Sequence, residues 1–303
     1  MATTLRSALA RPARHRRAPR AAPASVRASA APAVRRVLVT GASDGIGKSV
    51  CGAILQLPDT EVYLGSRDAE RGAAAVADAL AASGADPSRC TLVELDVSSE
   101  GSVAAAAASV EAALGGAPLY AVLNNAGLGF GMPMRDVLAV NYYGAKRVTQ
   151  AFAPMLARPG GRVVNVASAS GPMYNASAPA EVSAVLCDPA VTEEQVDALA
   201  AEAAERNTTS DAYGFSKAAL NAWTVALARD NPDLAVNSCT PGYIATKITA
   251  GMGATNPPEK AHKVLLHVLF GDLEGTGRYY GSDAVRSPLD RYRGPGDPPY
   301  EGP

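Results

Sequence analysis

An α/β fold built on a doubly wound parallel sheet is predicted by three features of the sequence. From residue 34 onward, short β-branched apolar runs alternate with longer Ala-rich stretches of helical character. The first apolar run leads directly into a glycine-rich turn that opens a helix. No internal repeat or mid-chain linker divides the 303 residues. Strands that alternate with helices of ten or more residues form βαβ units, whose crossovers require parallel pairing. A single large domain is the economical reading.

The elements follow in order. "VRRVLVT" is β-branched and reads as the first strand, and "GIGKSVCGAILQL" as the helix after the turn. "EVYLGS" gives the second strand, and "DAERGAAAVADALAAS" a helix with an acidic start. "CTLVELDV" and "LYAVLNN" are the next strands, separated by an Ala-rich helix near residues 99–114. "RVVNVAS" and "LAVNSCT" continue the series, and "GRYYGS" is a candidate last strand. The domain then occupies residues 34–283. Residues 284–303, rich in Pro, Gly and charge, read as an extended C-terminal tail.

The formal net charge of −1 is unevenly spread. Residues 1–36 hold nine of the 28 Lys and Arg residues, and no acid precedes Asp44. The remainder has 19 basic against 29 acidic residues, a net charge of −10. A surface that acidic argues against nucleic acid and anionic membranes as partners. No run of eighteen apolar residues is present to span a bilayer. The leader, residues 1–33, is rich in Ala and Arg with several Ser and Pro. That is the composition of an organelle transit peptide, plastid rather than mitochondrial, with "SVRASA" as the processing region. The expected location is therefore the chloroplast stroma. Four scattered cysteines lack metal-ligand spacing, and three isolated histidines give a zinc site or a histidine-dependent hydrolase little to work with.

In "VLVTGASDGIGKSV" the glycines Gly41, Gly45 and Gly47 lie between a strand and a helix. Such a turn lets backbone approach a pyrophosphate, which then meets the free N–H groups and dipole of the helix N-terminus. A site for NAD usually carries an acid near the end of the second strand. Here that position offers Ser66 and Arg67, a hydroxyl and a guanidinium suited to a 2′-phosphate, so NADP is favoured over NAD. Asp68 reads as a helix-starting residue, and Asp44 is an awkward charge beside a phosphate.

Three Tyr-x-x-x-Lys pairs occur: Tyr142 with Lys146, Tyr213 with Lys217, and Tyr243 with Lys247. On a helix, each would set a phenol and an ammonium one turn apart on the same face. A lysine cation can lower the pKa of a neighbouring phenol and make it a proton donor near neutral pH. Spacing alone does not choose among the three.

Taken in order, "TGASDGIG", "LDV", "NNAG", "VNYYG", "NVAS", "YGFSK" and "PGYIAT" resemble the short-chain dehydrogenase/reductase family over about residues 34–280. The resemblance implies a Rossmann fold, NAD(P) binding and hydride transfer between nicotinamide and a carbonyl or alcohol. It assigns Tyr213 as catalytic tyrosine, Lys217 as its lysine, Ser168 as the serine holding the substrate oxygen, and Asn141 as support for a water-linked proton relay. Ser43 and Ile46 join the glycines at the phosphates, and Asp96 and Val97 frame the adenine. Asn124, Ala126 and Gly127 line the cofactor cleft, and Pro241, Gly242, Ile244 and Thr246 cover the nicotinamide end. The other two pairs then become packing and surface residues (Tyr142, Lys146) and loop residues (Tyr243, Lys247).

Two departures from the family pattern bear on substrate and assembly. Ser168 and Tyr213 are separated by 44 residues, a long insertion at about 170–211. Within it, Thr192 and Gln195 form a capping box and Val191 with Val196 a hydrophobic staple, predicting a helix over 193–206. A similar insertion marks the carbonyl-reductase-like branch, where it accompanies monomers. Conversely, only 13 residues separate Gly127 from Asn141, which shortens the loop at the cleft mouth. The leading expectation is an NADPH-dependent aldehyde or ketone reductase. The alternatives are a plastid reductase of a pigment or terpenoid carbonyl, and a dinucleotide-binding regulator without catalysis.

Overall fold

The computed structural model describes residues 34–302; the leader lies outside the described residues. The first half lays down β1 (Arg35–Val39), α1 (Gly45–Leu55), β2 (Thr60–Ser66), α2 (Ala69–Ser83), β3 (Cys90–Glu94), α3 (Glu100–Leu114) and β4 (Ala121–Asn124). Next come α4 (Met134–Asn141), α5 (Tyr143–Phe152), β5 (Arg162–Val166), α6 (Ser170–Ser177), α7 (Ala180–Leu186) and α8 (Glu193–Arg206). The chain continues through α9 (Ala212–Asp230), β6 (Ala235–Cys239), α10 (His262–Phe270), β7 (Tyr279–Tyr280) and β8 (Arg286–Ser287). These strands form one sheet in the order β3-β2-β1-β4-β5-β6-β7-β8. Every pairing is parallel except that of β7 with β8. The order reverses direction between β1 and β4, which opens a crevice beyond their carboxyl ends.

The period-2 alternation of the strands divides the core. In β1, Val37 and Val39 face the layer of α1, α2 and α10, where Ile54, Leu64 and Val264 are buried. Leu38 faces the opposite layer with Val103, Val148 and Phe152. Because helices cover both faces, the central strands are mostly apolar on both, with the buried polar residues Asn124, Asn165, Asn237 and Ser238 near their carboxyl ends.

A third cluster lies outside the sheet, where the insertion docks. Thr192 caps α8 with the reciprocal Gln195 bond of a capping box. Val191 and Val196 are fully buried beside Leu186 and Trp223. Lys146 points into this cluster. Its Nζ lies 2.7 Å from Asp197 and 3.0 Å from Glu193, both on α8. Asp197 also accepts the Tyr142 hydroxyl at 2.8 Å, and Glu193 accepts the Trp223 indole N–H at 2.7 Å. Tyr142 and Lys146 therefore anchor the insertion, which corrects the reading of Lys146 as a surface residue. Burial of Leu186, Val191 and Val196 contributes about 1.5–3 kcal/mol per side chain. Packing therefore outweighs the ion pairs, whose role is to fix where the helix sits.

The C-terminal residues are not an extended tail. Arg286–Ser287 supplies the edge strand, and Arg293 is buried beneath the segment that follows. Among the described residues, no helix is long and apolar enough to cross a membrane. Replacing Lys146 by Met should lower stability by about 1–2 kcal/mol in urea unfolding, since two half-exposed carboxylates lose their cation. A loss within the ~0.5 kcal/mol scatter of ordinary surface substitutions would show that packing alone fixes α8.

Candidate active site

A cleft of ≈ 1060 Å³ opens at the carboxyl ends of the central strands. Its floor is the turn between β1 and α1. Gly41 has φ +62, and a Cβ there would lie 2.7 Å from the Ala126 Cα, so the turn after β1 and the chain after β4 touch. The side chain of Asn125 locks the contact, donating to the carbonyls of Thr40 at 2.9 Å and Gly41 at 3.2 Å. The Thr40 hydroxyl in turn accepts from the Asn125 and Ala126 amides, both at 3.0 Å. Ser43, Gly45, Ile46 and Gly47 complete this floor. Asp44 caps α1 through the Gly45 amide at 2.7 Å, and Lys247 approaches the same carboxylate to 2.6 Å. The Lys247 hydrogen bond is the main reason the Asp44 carboxyl titrates below its ordinary range. The carboxylate that looked awkward in sequence is thus neutralised from across the cleft.

At the far end of β2, Arg67 lines the cleft with its side chain exposed, and Arg71 lies behind it, 3.1 Å from Asp68. Asp68 is the N-cap of α2, as its sequence position suggested. Asp96 and Val97 follow the end of the neighbouring strand β3 and line the same part of the cleft. Hydrogen bonds from Ser98 hold the Asp96 carboxyl below its usual range. Two expected cofactor residues are not brought to the wall. Ser66 is buried, its hydroxyl donating to the Asp68 carbonyl at 2.7 Å and accepting the Asp68 amide at 3.2 Å. Asn124 turns inward, donating to Thr149 and Asn165, each at 2.9 Å. Side chains alternate along the strand, so its neighbour Asn125 faces the cleft instead. Only the adjacent-residue alternation could have signalled this from sequence.

The reacting groups stand midway along the cleft. Ser168 leaves the end of β5, and Tyr213 and Lys217 lie in the first turns of α9. The Lys217 ammonium donates to the Val166 carbonyl at 2.7 Å, tying α9 to β5. Gly171 permits the same approach on the α6 side, where a Cβ would lie 3.1 Å from the Ala218 amide nitrogen. Asn141 is fully committed: it accepts the Leu128 amide at 2.8 Å and donates to the Leu128 carbonyl and the Ser216 hydroxyl, both at 3.0 Å. Its side chain fixes the loop after Gly127 against α9. A Cβ on Gly127 would fall 3.4 Å from the Asn141 Oδ1 and 3.7 Å from the Lys217 Nζ.

Burial raises the Tyr213 phenol above its ordinary value, and interaction with Ser168 only partly opposes this. Burial also lowers the Lys217 ammonium to about 8. Its Nζ lies 5.7 Å from the Tyr213 ring centroid. The expected depression of the phenol by this lysine is thus not seen, because loss of water dominates. Tyr213 holds its proton firmly until a developing negative charge arrives.

The substrate end is apolar. Phe130, from the shortened loop, packs on Tyr213 with ring centroids 4.3 Å apart. Six large apolar side chains are exposed among the described residues: Phe130, Met132, Met173, Tyr243, Met252 and Tyr292. Four of them, Phe130, Met173, Tyr243 and Tyr292, line this one cleft. Pro241, Gly242, Ile244 and Thr246 form the wall between this rim and the floor. Sequence reasoning missed Phe130, Met173 and Tyr292, because exposure of an apolar side chain depends on tertiary placement.

A partly buried proton donor, a hydroxyl beside it and a long anion-binding floor suit proton and hydride transfer at a polar bond held next to a dinucleotide. Among the described residues, hydrolysis is not served by the one Ser–His contact, Ser49 with His262 at 2.8 Å, because Glu259 bonds the same hydroxyl rather than the imidazole.

Comparison with known proteins agrees. Residues 35–184 match the family described as short chain dehydrogenase. A protein named short-chain dehydrogenase/reductase 1 from Saponaria officinalis is 31% identical, the alignment covering 83% of this chain and 95% of that protein. Carbonyl reductase [NADPH] 1 from Macaca fascicularis is 27% identical over 80% of this chain and 94% of its own. The solved structure of salutaridine reductase from Papaver somniferum superposes with a TM-score of 0.71 at 27% identity, covering 81% of this chain and 99% of that one.

The buried lysine has a pH signature. Its folded value, about 8, lies below that of the unfolded chain, so above roughly pH 8 and up to about 10 the unfolded chain binds more protons and folding gains stability as pH rises. Relative to Lys217→Met, the cofactor-free wild type should gain about 1–3 kcal/mol over that interval in urea unfolding. A difference that stays constant would refute the depressed ammonium.

Proposed function

The chain belongs to the short-chain dehydrogenase/reductase family, and on that premise we propose that it reduces an aldehyde or ketone to the alcohol, or runs the reverse, with NADPH as hydride donor. The convergence of Ser168, Tyr213 and Lys217 above one glycine-floored cleft carries this reading. The protein is an oxidoreductase of the carbonyl/alcohol group. The residues present fit a dinucleotide. The turn at Gly41–Gly47 and the α1 N-terminus offer backbone N–H groups to a pyrophosphate. Arg67, backed by Arg71, offers guanidinium groups to a 2′-phosphate, and the buried Ser66 leaves no carboxylate at the end of β2 to favour NAD. Asp96 and Val97 would flank the adenine, and Lys217 would bind the nicotinamide ribose.

When bound, the reduced nicotinamide supplies the hydride to the carbonyl carbon. The chain supplies everything else. Tyr213 gives its proton to the carbonyl oxygen as negative charge develops there, and its raised pKa keeps that proton available. The Ser168 hydroxyl donates to the same oxygen and sets its position, stabilising charge chiefly in the transition state. Phe130 packs against the Tyr213 ring and lends the mouth an apolar side. The apolar rim supports a substrate whose body is largely hydrophobic. An intact set of reacting groups speaks against a regulator that has lost catalysis.

Two finer readings concern the whole molecule. α8 packs on α4 and α9 and covers their outward faces, which supports a monomer. Residues 1–33 would direct the chain to the plastid stroma and be removed there. Light scattering of the native protein at one chain's mass, together with N-terminal sequencing that begins near residue 28–34, is the expected result. A tetramer mass would overturn the first, and a start at Met1 the second.

In an NADPH-oxidation assay across a panel of carbonyl compounds, Tyr213→Phe should lower kcat by about 10²–10⁴-fold while leaving NADPH affinity within about two-fold. Arg67→Ala should raise the KM for NADPH about ten-fold with little effect on NADH. Unchanged turnover in the tyrosine variant would disprove the catalytic assignment.

A further inference from the structure

Arg293 lies beside the substrate end of the cleft, where an arginine normally reads as an anchor for a substrate carboxylate. A guanidinium has five N–H donors, and here all are engaged within the chain. Nε donates to the Pro298 carbonyl at 2.9 Å. One terminal nitrogen donates to Asp283 at 3.0 Å and to the Ser287 hydroxyl at 3.5 Å. The other donates to Asp283 at 2.8 Å and to the Asp297 carbonyl at 2.6 Å. The pair is buried, with side chains only 6% and 15% exposed. Asp283 in turn accepts the Gly296 amide at 3.2 Å, closing the loop on itself.

This knot sets one wall of the mouth. Tyr292 and Pro295 line the cleft from the looped segment, and Ser282 and Asp283 from the stretch before β8. The wall adjoins the loop after β6, since a Cβ on Gly242 would come within 3.2 Å of Ser282. The remaining cations of the cleft lie elsewhere. Lys260 and Lys263 belong to the stretch packed on α1, Lys247 is paired with Asp44, Arg67 and Arg71 lie beyond β2, and Lys217 is held on Val166.

We infer that Arg293 is a positioning residue that locks the C-terminal segment as the specificity wall of the mouth, and that the substrate is therefore an uncharged carbonyl compound with an apolar body rather than a keto acid. The argument rests on the reductase reading. Its physical core is that a substrate carboxylate would lose water against Phe130, Met173 and the Tyr292 ring and meet no unpaired cation at that end in return. An uncharged ring or chain gains contact with the same surface.

The test compares an uncharged cyclic ketone with a keto acid of similar carbon skeleton. For wild type, kcat/KM should favour the ketone by at least about 100-fold. Arg293→Met should raise the KM for the ketone about ten-fold, with kcat for a small aldehyde and the Kd for NADPH both within about two-fold. Tyr292→Ala, an exposed position that leaves the knot intact, should raise the same KM by a smaller factor. A keto acid turned over as well as the ketone, and lost in Arg293→Met, would identify Arg293 as a carboxylate anchor and overturn the inference. An unchanged KM in both variants would equally overturn it. A wild type that binds NADPH yet is inert to every carbonyl would refute the reductase reading along with it.

Discussion

The Lys217 ammonium, held on the Val166 carbonyl, is the contact on which the arrangement of the cleft depends. It joins the longest helix to the strand that carries Ser168, across the middle of the sheet. Burying an ammonium is unfavourable, and its lowered pKa records that. The return is positional: phenol, hydroxyl and glycine floor are referenced to one rigid strand end rather than to loops. Asn141 and Asn125 extend the same logic, each spending a side-chain amide on backbone groups to hold a turn. Much of what resembles a reactive constellation in sequence is, in three dimensions, scaffolding for two or three reacting atoms.

The long insertion brings its own core. Leu186, Val191 and Val196 pack against α9 on the side away from the cleft, and the Lys146 network fixes their register. Tyr142 and Lys146 share the spacing of Tyr213 and Lys217, but the α4–α5 junction and α5 present them to α8 rather than to the cleft. Carboxylates raise the Tyr142 pKa further beyond what burial does, the reverse of what proton donation near neutral pH requires. Identical spacing thus yields an anchor in one place and a proton donor in another, and the neighbours decide which.

The sheet was legible because parallel strands buried on both faces read as continuous β-branched runs, and the glycine turn because few residue types tolerate it. Ser168, Tyr213, Lys217 and Gly41 were legible through ordered motifs. Ser66 and Asn124 were misplaced because a motif names a strand end without saying which of two adjacent side chains faces the cleft. Phe130, Lys146 and Arg293 were not legible at all as site or anchor residues. Each depends on a partner between 51 and 83 positions away, or on a fold-back that Pro- and Gly-rich sequence disguises as a tail. For Arg293 the nearest signal is only ten residues off, but a lone Asp–Arg spacing in a loop carries no directional information.

The fold-back at Arg293 also has a bearing on the order in which the molecule is made. Synthesis runs from the N-terminus, while a domain folds largely as a unit. A nascent chain that has emerged as far as β6 already carries the nucleotide floor, the proton donor and the insertion. The mouth that chooses the substrate is closed only when residues 283–298 leave the exit tunnel. Substrate choice therefore waits on residues made after those that hold the nucleotide and donate the proton.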